Sequence, residues 1–284
     1  MPTLHLLHNQ VSSALQTRHN IPVNPQWLNT FLTSRGPNPP PLPALVSTAH
    51  FRILASDLTT TVSPTSPGEA FPEDIGDVNV KERRLLGTVI AQVLDVLDVG
   101  SSKWSQVEAI ERVERGEEVR GREVIRTVNG LGSDNNNNDG DALGGVNGTA
   151  APTLSSASKP LSVGPHKLLV QDARGTKVLA FELVKVPKIG LSTSASAALP
   201  ASARNQSGGG TAPTIPVEDP GMLIGCKLLL RPDTVVRRGM VLLTPETCVV
   251  LGGKVEAWDR KWKEDRKARL TALVREENAA RGGG

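Results

Sequence analysis

The sequence predicts an α+β protein with a mainly β core: a small closed five-stranded barrel, a three-helix bundle before it, a C-terminal helix after it, and two long disordered insertions. Three observations carry this reading. Residues 224–258 hold three short apolar runs, 226–230, 240–243 and 248–251, separated by Arg231-Pro232-Asp233, Arg238-Gly239 and Pro245-Glu246. Runs this short, rich in Val and Leu and bounded by Pro, Asp and Gly, read as strands. Near the N-terminus the apolar spacing is instead three and four residues, as on one helix face. Between the apolar segments lie stretches such as SDNNNNDGDALGGVNGTAAP (133–152) and SGGGTAP (207–213), which have almost nothing to bury.

Composition agrees. The 284 residues are 38% hydrophobic, with 27 Gly, 21 Pro and no Tyr. That suits a core of about 180 residues interrupted by polar insertions. A net charge of +3 permits a nucleic-acid neighbourhood without demanding one. The two cysteines, Cys226 and Cys248, sit inside apolar runs and read as buried reduced thiols. Residues 1–10 lack the basic and apolar regions of a signal peptide, and no apolar run is long enough for a membrane span. The sequons at Asn147 and Asn205 are therefore read as chance matches in polar loops.

In chain order, Leu4, Leu7, Val11 and Leu15 predict a helix over 3–19, ended by Asn20-Ile21-Pro22. Asn24 and Pro25 form a helix start ahead of Trp27, Leu28, Phe31 and Leu32. The Pro-rich stretch 37–43 is a stiff spacer. A third helix is expected over 44–58, with Leu45, Phe51, Leu54 and Leu58 apolar. Residues 1–60 thus form a helical unit, and 61–80 read as a linker. The barrel is assigned to 81–253, with insertions at 101–165 and 188–220. Its first strand is 85–99, since Gly87 and the β-branched residues favour strand over helix. Residues 166–173 and 177–184 form a hairpin around Arg174-Gly175-Thr176. Residues 101–121 can form a transient helix at the start of the first insertion. Residues 254–284 form a long helix and tail, its early turns docked by Trp258 and Trp262. Short strands with capping helices suit an oligonucleotide/oligosaccharide-binding (OB) barrel.

Signals for catalysis are absent. No GxxxxGK[ST] and no GxSxG occurs. His5 and His8 lie one helical turn apart with no Cys, Asp or Glu cluster beside them, so no metal or cofactor site is expected. Asp95 and Asp98 face opposite sides of a strand and make a poor carboxylate pair. Single-strand DNA binding, the obvious alternative for an OB barrel, stacks bases on exposed aromatic side chains. Only Phe181 is aromatic in the predicted strands. Arg231, Arg237, Arg238 and the basic residues of 260–269 allow a weak, salt-sensitive DNA contact.

Several blocks in order resemble the N-terminal region of the RecQ-mediated genome instability protein family. Pro25-Gln26-Trp27-Leu28 resembles its Pro-x-Trp-Leu. Leu54-Ala55-Ser56-Asp57-Leu58 resembles Leu-Leu-Thr-Asp-Leu. Leu97-Asp98-Val99-Gly100-Ser101, with Ser105-Gln106 just after, resembles the end of the first strand. Gly225-Cys226-Lys227-Leu228 resembles Gly-Thr-Lys-Ile, and LLTPETCVVLGGKVEA (242–257) is the most specific block. The resemblance implies a non-catalytic, nuclear OB-fold subunit that binds topoisomerase III, without membrane contact. With a RecQ-family helicase it would promote decatenation and dissolve double Holliday junctions. It implies partner binding by Leu54, Ser56, Asp57, Lys227 and Trp104. It also implies that the loop after the first strand, beginning Ser101, Ser102, Lys103, Ser105 and Gln106, acts on the topoisomerase gate. The expected test of Lys227 is a loss of topoisomerase binding in Lys227→Glu at unchanged melting temperature, provided that the side chain is exposed. Some members carry a further OB domain for a small partner subunit; none is expected in this sequence.

Overall fold

The computed structural model describes residues 4–36, 39–115, 162, 164–191 and 221–282. Its order is α1 (His8–His19), α2 (Pro25–Thr33), α3 (Leu42–Leu54), α4 (Leu58–Thr61), β1 (Arg83–Arg84), β2 (Val89–Asp98), α5 (Lys103–Glu114), β3 (His166–Asp172), β4 (Lys177–Glu182), β5 (Lys227–Leu230), β6 (Val235–Arg237), β7 (Met240–Leu243), β8 (Cys248–Gly252) and α6 (Glu256–Gly282).

The predicted runs around 85–99, 166–184 and 226–251 all become strands of one sheet, but that sheet has eight strands rather than five, in the order β1-β6-β7-β4-β3-β2-β5-β8. Six of the eight fall on the six apolar runs read from the sequence, one run more than the five-stranded count allowed, and two lie outside them: β1 is two arginines, and β6 has three residues, too few for alternation to register. The ten-residue β2 is the hub. Val89–Gln92 pair with β5, Ala91–Asp98 pair with β3 on the other side, and a register shift in the β3 ladder between Val93 and Asp95 bends the strand. The curl continues because β7 pairs in parallel with β4 while β8 pairs with β5. The four-residue turn 244–247 carries the chain between these two flanks, held by Cys248 N–H donating to the Thr244 carbonyl at 2.9 Å.

Inside the curl, Val89, Val93, Leu168, Val170, Leu228, Leu230, Val241 and Leu243 form the core. The expected linker 61–80 is not a spacer throughout: Phe71 and Ile75 belong to this core, and Ala70 beside them is buried. Phe71 N–H donates to Asp172 Oδ2 at 2.8 Å, while Asp172 Oδ1 accepts from Arg174 and Thr176 N–H and shapes the β3–β4 hairpin. Ile189 and Leu191, assigned to the second insertion, are likewise core residues. Residues 192–220 and 116–161, most of both insertions, lie outside the described residues.

The helical unit has a second core of Val11, Leu15, Leu28, Leu32, Leu45, Ala49 and Ile53, joined by Ile90 from the barrel. Asn24 caps α2 as expected, its Oδ1 accepting from Gln26 N–H at 2.9 Å. The third predicted helix breaks at 55–57 into α3 and α4. Its buried stripe is Leu45, Ala49 and Ile53, which leaves Phe51 67% exposed. Leu4, expected on the buried face of the first helix, precedes α1 and is exposed. Of the transient helix expected at 101–121, residues 103–114 form α5, lying against α6, and 116–121 lie outside the described residues.

Candidate functional site

Two places bring the sequence-predicted residues together. The first is the corner between α3 and α4, where the helical unit meets the outer wall of the sheet. Gln171, Gln92 and Lys227 are register partners across β3, β2 and β5. They make a polar row beneath that corner. Gln92 is fully buried. Its Oε1 accepts from Leu58 N–H at 2.8 Å, and its Nε2 donates to Asp57 Oδ1 at 2.7 Å and to Gln171 Oε1 at 3.1 Å. Asp57 Oδ1 also accepts from Thr59 N–H and so caps α4.

Lys227 is 0% exposed, which removes the condition on which its surface role rested. Its Nζ donates to the carbonyls of Ser56 at 2.6 Å and Gly225 at 2.7 Å. A lysine buried without a carboxylate partner is costly unless carbonyl oxygens take over solvation. Burial pulls its pKa down to about 8, with the nearby Cys226 and Asp57 opposing the shift. The ammonium therefore joins bundle to barrel from inside. Leu54 and Ser56 are half-buried at the rim of this joint. Gly253 allows the contact: a Cβ there would come within 2.3 Å of the Leu54 carbonyl oxygen, and its φ of +85° is already unfavourable for other residues.

The second place is the layer of α5 and α6 over the far half of β2. The start of the first insertion is tied down locally. Asp98 accepts from Gly100 N–H and from Ser101 Oγ. Ser102 Oγ accepts from Ser105 N–H, and Gln106, buried, donates to the carbonyls of Asp98 and Ser101. Lys103 pairs with Glu277, and Lys267 with Glu111 and Glu114, fastening α5 to α6. Trp262 packs into the core as expected, its Nε1 donating to Asp95 Oδ1 at 2.5 Å, with Arg266 and Arg269 over its ring. A half-open cavity of about 320 Å³ lies between β2, α5 and α6. Of the expected loop residues, Ser101, Ser102, Ser105 and Trp104 are exposed, Trp104 at 66%.

One buried network was not foreseen. His166 Nδ1 lies 2.6 Å from Glu182 Oε2, and its Nε2 lies 2.7 Å from Ser162 Oγ. Ser162 Oγ accepts from Leu191 N–H, and Glu182 Oε1 accepts from Val186 N–H. With both ring partners and the flanking amides engaged inside the wall, the group anchors the two chain segments that enter the barrel beside β3 and β4. The sequence offered only an isolated His166. Cys226 and Cys248 are free and buried; burial pushes their thiols up to about 11 and about 12, so both are inert at neutral pH. Among the described residues no cluster of His, Cys, Asp and Glu could hold a metal ion, and no helix is long and apolar enough to cross a membrane.

Comparison with known proteins matches both parts of this architecture. The profile described as "RMI1, N-terminal OB-fold domain" matches residues 71–196 and 212–266, and "RMI1, N-terminal helical domain" matches residues 15–61. The first of these begins at Phe71, the side chain that enters the barrel from the expected linker. RecQ-mediated genome instability protein 1 of Schizosaccharomyces pombe is 26% identical over 210 residues, 74% of this chain and 72% of that protein. The chain belongs to the RMI1 family, as its N-terminal helical and OB-fold parts.

Proposed function

We propose that this protein is a non-catalytic subunit that binds topoisomerase III. With a RecQ-family helicase it promotes decatenation and the dissolution of double Holliday junctions in the nucleus. The insertion that follows β2 acts on the topoisomerase gate. The observation that carries this reading is the buried joint of Gln92 and Lys227 with residues 56–58, which makes the helical unit and the barrel one continuous platform. A platform of this kind presents a fixed protein surface, and its polar groups are consumed in holding it together rather than arranged around a reacting centre. Leu54, Ser56 and Asp57 act at the rim of the joint, and Trp104 supplies an exposed indole beside the insertion. DNA contact is weak and runs through the exposed cations of α6, which alternate with acidic residues.

The test is retention of purified topoisomerase III by the immobilised full chain, with decatenation measured with and without it. Retention and faster decatenation are expected. Tight oligonucleotide binding with a steep salt slope, and no retention of the topoisomerase, would favour a free-standing single-strand binder instead.

A further inference from the structure

The ion pairs Lys103–Glu277 and Lys267–Glu114 set α5 and α6 antiparallel over the far half of β2. The half-open cavity of about 320 Å³ between these three elements has aliphatic walls, Val96 and Leu97 from β2 and Leu270 and Leu273 from α6. Trp262, Arg266, Arg269 and Leu273 recur at three- and four-residue spacing, which puts them on one face of α6. The charges lining the cavity do not balance: Asp95 supplies one carboxylate, Arg266 and Arg269 two guanidiniums. Asp95 is fully engaged. Its Oδ1 accepts from Val96 N–H and the Trp262 indole, and its Oδ2 lies 3.2 Å from Arg269. Asp98, the next acid along β2, is turned to Gly100 and Ser101. Arg266 therefore makes no ion pair among the described residues, and its guanidinium lies over the Trp262 ring, 5.3 Å from the centroid. Burial pulls its pKa below the ordinary arginine value; Asp98 and Asp95 oppose the shift and Arg269 adds to it. A guanidinium drawn out of water with no carboxylate beside it is costly, and an anion that reaches it gains charge-assisted hydrogen bonds.

We propose that this cavity binds a small amphipathic anion, a carboxylate or phosphate head on an aliphatic chain, with the head at Arg266 and the chain between Val96, Leu97, Leu270 and Leu273. The volume sets the size, since the space of about ten waters suits a ligand of about ten non-hydrogen atoms. The two arginines repel a cationic head, and the aliphatic walls give a bare inorganic anion little to hold. A nucleotide base would need a free aromatic face, and Arg266 and Arg269 already cover the Trp262 ring. Gln106 of α5 also lines the cavity, so a bound anion touches β2, α5 and α6 at once. The base of the insertion is thereby made sensitive to a small molecule, independently of any protein partner.

The experiment titrates the full chain with octanoate and octyl phosphate, with octanol and octylamine as the neutral and cationic counterparts, and reads heat of binding and thermal melting. Saturable binding of at least one anion is expected, with Kd of about 0.1–1 mM and a raised melting temperature. The tighter of the two anions names the head group. Octanol should bind about tenfold more weakly or worse, and octylamine not at all. Arg266→Met should weaken the anion about tenfold or more, to the level of octanol, and Arg266→Lys should recover part of the loss. Leu273→Trp, which fills the cavity, should abolish binding of anion and alcohol alike. Should that variant fail to fold, Arg266→Met and Arg266→Lys decide the matter. Absence of saturable binding by either anion would overturn the assignment. So would octylamine binding as well as octanoate, or anion binding that Arg266→Met leaves unchanged.

Discussion

The ammonium of Lys227 stands 2.6 Å from the carbonyl oxygen of Ser56, a residue 171 positions away in the chain. This single contact fastens the α3–α4 corner to β5, and Gly225 supplies the second acceptor. Replacing Lys227 by Met removes both donors and leaves two enclosed carbonyls unsatisfied, at a cost of about 1–3 kcal/mol at neutral pH. The loss should depend on pH with a definite sign. The folded-state pKa of about 8 lies below the unbound value of 10.5, so between these limits the unfolded chain holds more protons than the folded one. Stability from this group therefore rises with pH from about 8 to about 10.5, by up to about 3 kcal/mol. The gap between wild type and Lys227→Met in urea unfolding should widen over that window. A gap independent of pH would refute the depressed value. Lys227→Glu, which adds a carboxylate against two carbonyls, should lower melting temperature and not act as a clean surface variant.

Gln92 is expected to be coupled to Lys227. The two are register partners, and both hold the segment 56–58. Gln92→Leu strands the Leu58 N–H and removes a donor from Asp57, costing about 1–3 kcal/mol. Once the corner has been released by one change, the second has less to break. The double variant Gln92→Leu/Lys227→Met should therefore lose less than the sum of the two single losses, by about 0.5 kcal/mol or more in chemical denaturation. Strict additivity would show that the two side chains hold independent contacts.

What the sequence revealed and what it concealed follow the range of the interactions. Local signals were legible. Asn24 and Pro25 marked the start of α2, and Arg174-Gly175-Thr176 between two short apolar runs marked the β3–β4 hairpin. Long-range side-chain partners were not. Lys227 inside an apolar run gives no hint that its acceptor is Ser56, and Asp57 announces only its local cap, not the Gln92 amide. Phe71 and Ile75 sit among Pro, Glu and Asp with no period, so their burial inside the curl has no one-dimensional signature. The outer face of β4 and β7 was hidden for a different reason. Leu179 and Met240 look like core residues in sequence, and only the parallel pairing of β4 with β7 shows that they share the outside.

Trp262 offers a test of whether α6 is an integral part of the barrel or an appendage. It is 9% exposed, belongs to the barrel core and binds Asp95 through its indole N–H. Trp262→Ala opens a cavity against β2 and takes the indole donor from Asp95, which keeps Val96 N–H on Oδ1 and Arg269 beside Oδ2. A loss of about 3–5 kcal/mol is expected, with unfolding remaining a single transition. A separate early transition for α6, with the barrel melting as before, would show that the helix is only loosely attached.

Trp104 is the counterpart, a large side chain placed where stability does not need it. It begins the second residue of α5 and is 66% exposed, whereas Gln106 and Val107 carry the inward contacts of that helix. Removing a ring that is mostly exposed should change stability by no more than about 0.5 kcal/mol. Trp104→Ala should therefore melt with the wild type, yet weaken topoisomerase III binding or slow decatenation if the base of the insertion meets the enzyme there. Gln106→Ala separates the two effects. It strips the hydrogen bonds to the Asp98 and Ser101 carbonyls, and so should loosen the start of α5 and reduce stability even in the absence of any partner. If Trp104→Ala melts normally and supports decatenation at the wild-type rate, the exposed indole has no part in the topoisomerase contact, and the role of the insertion must lie beyond α5.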